Sequence, residues 1–148
     1  MAEYFNNYLT KRSFNKNQYQ IIVPVAGTDL SVNGTADNNN YVSGTRPSNA
    51  TSQIHSIYIT KHVTSNYTND DPLSQAAVVS LSIVDTGNDN REFYIANNVM
   101  VLPHSSFYVE KAITLLPQQY LKLTYSNISP NTNGVSISTV CSSVDITD

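Results

Sequence analysis

Tryptophan is absent from this chain, cysteine occurs once, and only 13% of the residues are charged. Each shortage excludes something. Sugar sites usually stack rings on exposed aromatics, tryptophan above all, so its absence counts against a dedicated carbohydrate module. A single thiol, Cys141, cannot form an intrachain disulfide and reads as a small buried apolar residue. Eight Lys and Arg against eleven Asp and Glu give a net charge of −3 and a pI near 5.4. There is no clustered basic field of the kind nucleic acids require. No run of about 18 apolar residues exists, so no membrane-spanning helix is expected. The start, MAEYFNNYLTKRSFNKNQYQ, lacks the apolar stretch of a secretory signal, and the expectation is synthesis in a cytoplasm without classical export.

What is abundant is amide and hydroxyl. Asn, Ser and Thr number 18, 18 and 14, together 50 of 148 residues. The polar surface is therefore built from uncharged groups, which suits extended β structure and close lateral packing without charge repulsion. The length suggests one domain. At that size roughly 70% of the unfolded chain's surface can be buried, enough for a core without staples.

From residue 53 onward the apolar pattern has a period of two. QIHSIYIT places Ile57 and Ile59 on one face and Ile54 and Tyr58 on the other. AAVVSLSIV (76–84) turns Val79, Leu81 and Ile83 inward and Ser80 and Ser82 outward, the strongest strand signal in the chain. TGNDN (86–90) closes a turn and REFYIA (91–96) returns as the second strand of a hairpin. VMVL then stops at Pro103, SFYVE turns Phe107 and Val109 inward, and AITLL stops at Pro117. Proline has no N–H for a sheet ladder, so each marks a corner. YLKLTY alternates Leu121, Leu123 and Tyr125 against Tyr120, Lys122 and Thr124, and VSISTVCSSVDI supplies a last strand or two. Earlier, QIIVPVAG is a short strand ended by Pro24. Polar loops are expected at 33–52 and 64–75. Eight or nine short strands at 8–12-residue spacing predict an all-β, antiparallel β-sandwich of jelly-roll or immunoglobulin-like topology.

Chemistry-bearing motifs are sparse. His55, His62 and His104 lack paired metal-ligand spacing and read as solvated strand-end residues. No G-x-S-x-G is present. Most carboxylates fall in turns, where Asp bonds the backbone. DTGNDNRE (85–92) is rich in oxygen but does not match the EF-hand spacing, and a hairpin turn explains it. N-x-S/T occurs at Asn33, Asn49, Asn66 and Asn127, about what this composition gives by chance, and carries no evidence of glycosylation. No catalytic, metal or cofactor residue is assigned.

Residues 1–20 hold the only locally basic stretch and have no clean period. They read as an extended N-terminal arm, or a first irregular strand, preceding a single sandwich domain over 21–148. Aromatics on an arm have no core of their own and suit docking onto a neighbour. Tyr4, Phe5, Tyr8, Lys11, Arg12 and Phe14, with Tyr41 and Arg46 of the loop at 33–52, are the candidate interface residues.

YFNNYLTKRS, the VPV element, IHSIYIT, AVVSLSIVD, FYIANNVMVLPHSSFYV, KAITLLPQQYLKLTYS and GVSISTV, in that order, resemble small virion structural proteins of tailed bacteriophages. The resemblance spans about 100 residues from 53 onward, plus the arm. The chain departs from it at Pro117-Gln118-Gln119, where Gly-Asp is usual, and in its longer loops. The resemblance implies a non-enzymatic role on a particle: head decoration or cement, collar, or tail-associated subunit. It implies partners among other virion proteins (capsid, portal or neck, tail) and many copies, with no nucleic acid or membrane. Truncation of residues 1–16 is then expected to leave a folded domain that no longer joins particles. The other reading is a carbohydrate- or receptor-binding module of a phage tail or fibre, sustained by loop tyrosines such as Tyr41 and Tyr67.

Overall fold

The computed structural model describes residues 1–13, 18–28, 41–62, 76–102, 105–127 and 136–148. Among them there is no helix. Ten strands run β1 (Ala2–Ser13), β2 (Gln18–Val23), β3 (Tyr41–Ser43), β4 (Thr51–His62), β5 (Ala77–Asp85), β6 (Arg91–Val101), β7 (Ser106–Val109), β8 (Ile113–Leu115), β9 (Gln119–Asn127) and β10 (Ser136–Thr147).

They form two antiparallel sheets. The first has the order β3-β1-β10-β4-β7, with β8 also on β4; the second has the order β2-β9-β5-β6. The pairs nest: β5 with β6, β4 with β7 and β8, β2 with β9, and outermost β1 with β10. A long hairpin folded over on itself in this way is a jelly roll, which decides against the immunoglobulin-like alternative. Sandwich closure follows from the period-two pattern, because each sheet has one apolar face to bury.

The core lies between those faces. Ile57, Ile59, Leu81, Leu121, Leu123 and Ile137 are buried there. Cys141 joins them, and burial pushes its thiol up to about 12. Ile54 differs from the sequence reading. It is buried with Ile57 and Ile59 because the β4–β10 register shifts at Ser142/Ser143, leaving His55 as the extra, exposed residue. REFYIA and VMVL, expected as separate strands, form the single strand β6. Register shifts against β5 let it continue, and Asn98 adopts φ 54° with its N–H donating to Ser80 Oγ at 2.9 Å. The hairpin turn before it holds as expected: Asp85 Oδ1 accepts from Gly87 N–H at 3.0 Å.

The arm reading gives way to its alternative, a first strand. Residues 2–13 pair with β10 along their whole length and with β3 on the other side, so the sandwich begins at residue 2 rather than 21. The signal was present but mixed: Asn6, Tyr8 and Thr10 face inward, and only Tyr8 among them is a large ring. The expected loop at 33–52 likewise contains β3, while its residues 33–40, and the whole loop at 64–75, lie outside the described residues.

Candidate interaction surface

Two of the sequence candidates turn out to be interior. Arg46 is fully buried at one end of the sandwich. Its Nη1 donates to Pro24 O (2.8 Å) and Gln119 O (2.6 Å), and its Nη2 donates to Ala50 O (3.0 Å), Leu115 O (3.0 Å) and Leu116 O (2.9 Å). One guanidinium thus gathers the carbonyls of four chain segments that enter or leave β2, β4, β8 and β9. Burial lowers its pKa, while the nearby Asp145 opposes the shift. Tyr8 is also buried. Its hydroxyl donates to Asp145 Oδ2 at 2.7 Å, which Asn6 Nδ2 reaches at 3.0 Å, while Ser143 Oγ donates to Oδ1 at 3.0 Å. Burial first, then the Asp145 hydrogen bond, raises the Tyr8 pKa. Gly44 closes this corner. A side chain there would set its Cβ 2.5 Å from Tyr8 Cδ1, and φ is +144°. Tyr8 and Arg46 are therefore withdrawn as interface residues, since both are spent on internal bonds. Sequence pattern alone did not mark Asp145, because Asn6 and Tyr8, which bond its Oδ2, are far away along the chain.

Phe5 and Lys11 do reach solvent, on the outward side of β1, while Tyr4 is half-exposed on the other side. Arg12 and Tyr41 lie on β1 and β3, with Tyr41 opposite Lys11 in register; Phe14 lies outside the described residues.

The outward residues of the first sheet fall into rows fixed by its register. One row reads Ser43, Leu9, Val140, Tyr58, Tyr108. Val140, Tyr58 and Tyr108 in it are 41%, 44% and 54% exposed, and the two tyrosine rings lie 5.8 Å apart at 32°. A second row reads Phe5, Val144, Gln53, Thr114, with Phe5 89% exposed. Between them lies the polar row Asn7, Ser142, Ser56, closed by a 2.9 Å bond from Ser142 Oγ to Asn7 Oδ1. Beyond the tyrosine row stand Lys11, Ser138, Thr60 and Ser106, the last two sharing a 2.7 Å bond. His62 shares a 2.8 Å bond between Nε2 and Ser138 Oγ, and His55 is exposed; His104 lies outside the described residues.

The outer face of the second sheet is unlike this. Glu92 there pairs with Lys122 at 3.3 Å and accepts from Ser82 Oγ at 2.6 Å, and Lys122 stands over the Tyr19 ring at 5.1 Å. Its polar groups serve one another. It also carries exposed apolar side chains, Tyr19, Tyr94 and Met100, beside that charged cluster, whereas the exposed rings and aliphatic groups of the first sheet stand in rows with hydroxyls and amides. Among the described residues no three His, Cys, Asp or Glu side chains gather as metal ligands.

No family model matches the sequence, and no curated protein is similar to it. Among solved structures, a chain of the IBDV viral particle superposes with a TM-score of 0.52 at 10% identity, over 98% of this chain and 31% of that one. The chain shares its fold with that viral-particle protein. It spans about a third of that protein's length. A chain of the cyanophage Pam1 capsid is also similar, with a TM-score of 0.43 and 10% identity over 96% of this chain and 84% of that one.

Proposed function

We propose that this protein is a non-enzymatic structural subunit of a virus particle, present in many copies and made in the host cytoplasm before assembly. The finer reading is a bacteriophage head decoration or cement protein, a collar subunit or a tail-associated subunit, bound to capsid, portal, neck or tail proteins. The observation that carries it is the outer face of the first sheet, two rows bearing exposed apolar side chains among few charges, on a jelly roll shared with a viral-particle chain. Apolar side chains held on paired strands lose little further freedom on docking, so even a small face can bind. Repetition on a particle multiplies such weak contacts.

The assembly contacts proposed for an arm move to the outward side of β1, where Phe5 and Lys11 stand. Tyr41, on the edge strand β3, remains part of the proposal. The test is compositional and structural. Purified particles should contain the chain at a fixed stoichiometry by mass spectrometry, and density in their images should fit this jelly roll. Particles that lack the chain would remove the proposal.

The tyrosine pair on the surface favours a second reading, a sugar- or receptor-binding module, since stacked rings can hold an apolar sugar face. A glycan array in which Tyr58→Ala and Tyr108→Ala abolish a specific signal would support it over the first.

A further inference from the structure

We propose that the outer face of the first sheet docks on the same face of a second copy of this chain, through a two-fold axis lying between the sheets and crossing β1 at Asn7. The proposal deepens the particle reading and rests on it for the high local concentration that gives a modest face its use.

The pattern of β1 is the starting point. Its outward residues are Glu3, Phe5, Asn7, Leu9 and Lys11: acid, apolar, amide, apolar, base. Reversing the strand about Asn7 exchanges the apolar positions with each other and the acid with the base. A two-fold axis perpendicular to the strands does this while keeping each strand over its own copy. Phe5 then faces Leu9, and Glu3 faces Lys11, twice per dimer.

The other strands follow the same exchange. Val144 and Val140 sit two residues either side of Ser142 on β10 and trade places. The row of Phe5, Val144, Gln53 and Thr114 therefore lies over the row of Leu9, Val140, Tyr58 and Tyr108. The central amide and hydroxyl row meets itself, where its groups can bond across. Within the paired residues of these five rows Glu3 and Lys11 are the only ionised side chains, and exposed Glu110 and Lys111 stand at the sheet's far edge, between β7 and β8. An isologous contact requires this kind of self-complementarity.

Size agrees. Five strands about 4.8 Å apart and nine residues of about 3.4 Å rise make a patch of roughly 600 Å² per copy. Two such patches total about 1,200 Å², at the lower limit of specific interfaces. Sheets packed face to face sit about 10 Å apart and cross at about 30°, a geometry open to both faces here.

Sedimentation equilibrium on the full chain tests the inference, with circular dichroism confirming that each variant keeps its strands. The wild type should show a reversible monomer–dimer equilibrium. Val140→Asp should leave a folded monomer. Lys11→Glu places two acids opposite each other twice and should weaken association about tenfold. Adding Glu3→Lys to that variant restores opposite charges under the two-fold and should recover most of the loss. A wild type that stays monomeric at about 100 μM, where an interface of this size should be populated, overturns the inference. So does a dimer in which the double reversal is no better than Lys11→Glu. A monomer that is nevertheless found on particles sinks this inference alone. A dimer absent from particles sinks the particle reading alone.

Discussion

Arg46 carries a permanent charge into a position with no solvent exposure and satisfies five backbone carbonyls there. Pro24, Ala50 and Leu116 lie outside the strands and Leu115 and Gln119 at strand ends, and Leu116 O also accepts from Gln119 N–H at 3.0 Å. A buried carbonyl among them that loses the guanidinium and finds no other donor is left unpaired. Leaving even one buried acceptor unmet costs about 1–3 kcal/mol. Arg46→Met keeps much of the volume and removes all five bonds. It should destabilise the fold by about 4 kcal/mol or more, read from the midpoint of urea unfolding. A loss below about 1 kcal/mol, the value of a surface pair, would show that the carbonyls find other partners. Lys61 is the contrasting case. Its Nζ is buried with no hydrogen-bond partner, and burial lowers its pKa to about 8. A buried amine lowered from 10.5 binds fewer protons folded than unfolded, so its contribution makes stability rise with pH between about 8 and 10.5. Below about 8 the full penalty stands, about 3 kcal/mol. Cys141 and Tyr8 act in the opposite sense at higher pH, because burial raises them and the unfolded chain loses those protons first. The wild type and Lys61→Met share Cys141 and Tyr8, so the difference between them over pH 8 to 9 isolates the lysine. There the wild type should gain roughly 1 kcal/mol relative to Lys61→Met, which should itself be more stable than wild type at pH 7. Equal slopes for the two proteins would mean that Lys61 keeps its hydration.

At the scale of elements, β1 decides how far pattern alone could reach. Strands β5 and β9 were legible, because Val79, Leu81 and Ile83, and Leu121, Leu123 and Tyr125, keep a strict period of two in a two-sided setting. Tyr58 could also be read as outward, opposite Ile57 and Ile59, and it stands on the proposed surface. β1 was obscured because its inward side is amphipathic. Asn6 and Tyr8 fill a polar corner whose acceptor, Asp145, lies 137 residues from Tyr8, and Thr10 beside them is a buried hydroxyl. Polar partners so distant leave no local trace. The same holds for Arg46, which a loop reading places at the surface. Ile54 was misplaced by one bulge, which flips the face of every residue beyond it. These corrections reverse the expectation for truncation. β1 lies between β3 and β10, and removing it would bare the edge of β10 and the interior beneath Tyr8. Deletion of residues 1–13 should therefore give a chain without cooperative unfolding and with rapid proteolysis across β4 and β10. A truncated domain that stays folded and merely fails to assemble would restore the arm.

At the scale of the whole molecule the two sheets divide the work. One outer face ties its charges to each other, through Glu92, Lys122 and Ser82, beside exposed Tyr94 and Met100. The other holds its rows of rings and aliphatic groups open and keeps Glu3 and Lys11 at opposite ends of β1, with Glu110 and Lys111 at its far edge. Binding through such a face is dominated by apolar burial, with charge acting on register more than on affinity. Its response to salt follows. The two exposed Glu3–Lys11 pairs of the proposed dimer are each worth under about 1 kcal/mol and are screened as the Debye length falls from about 14 Å at 0.05 M toward about 4 Å at 0.5 M. Over that range the dimer dissociation constant should rise by no more than about thirtyfold. Sulfate salts, which strengthen apolar burial, should lower it. The Lys11→Glu variant should respond in the reverse direction, its association improving with sodium chloride as repulsion is screened. Sedimentation of both proteins across the same salt series separates the alternatives. A wild-type constant that climbs a hundredfold would assign the contact to charge rather than to the rows of Phe5 and Tyr58, and the two-fold register argued from those rows would fail with it.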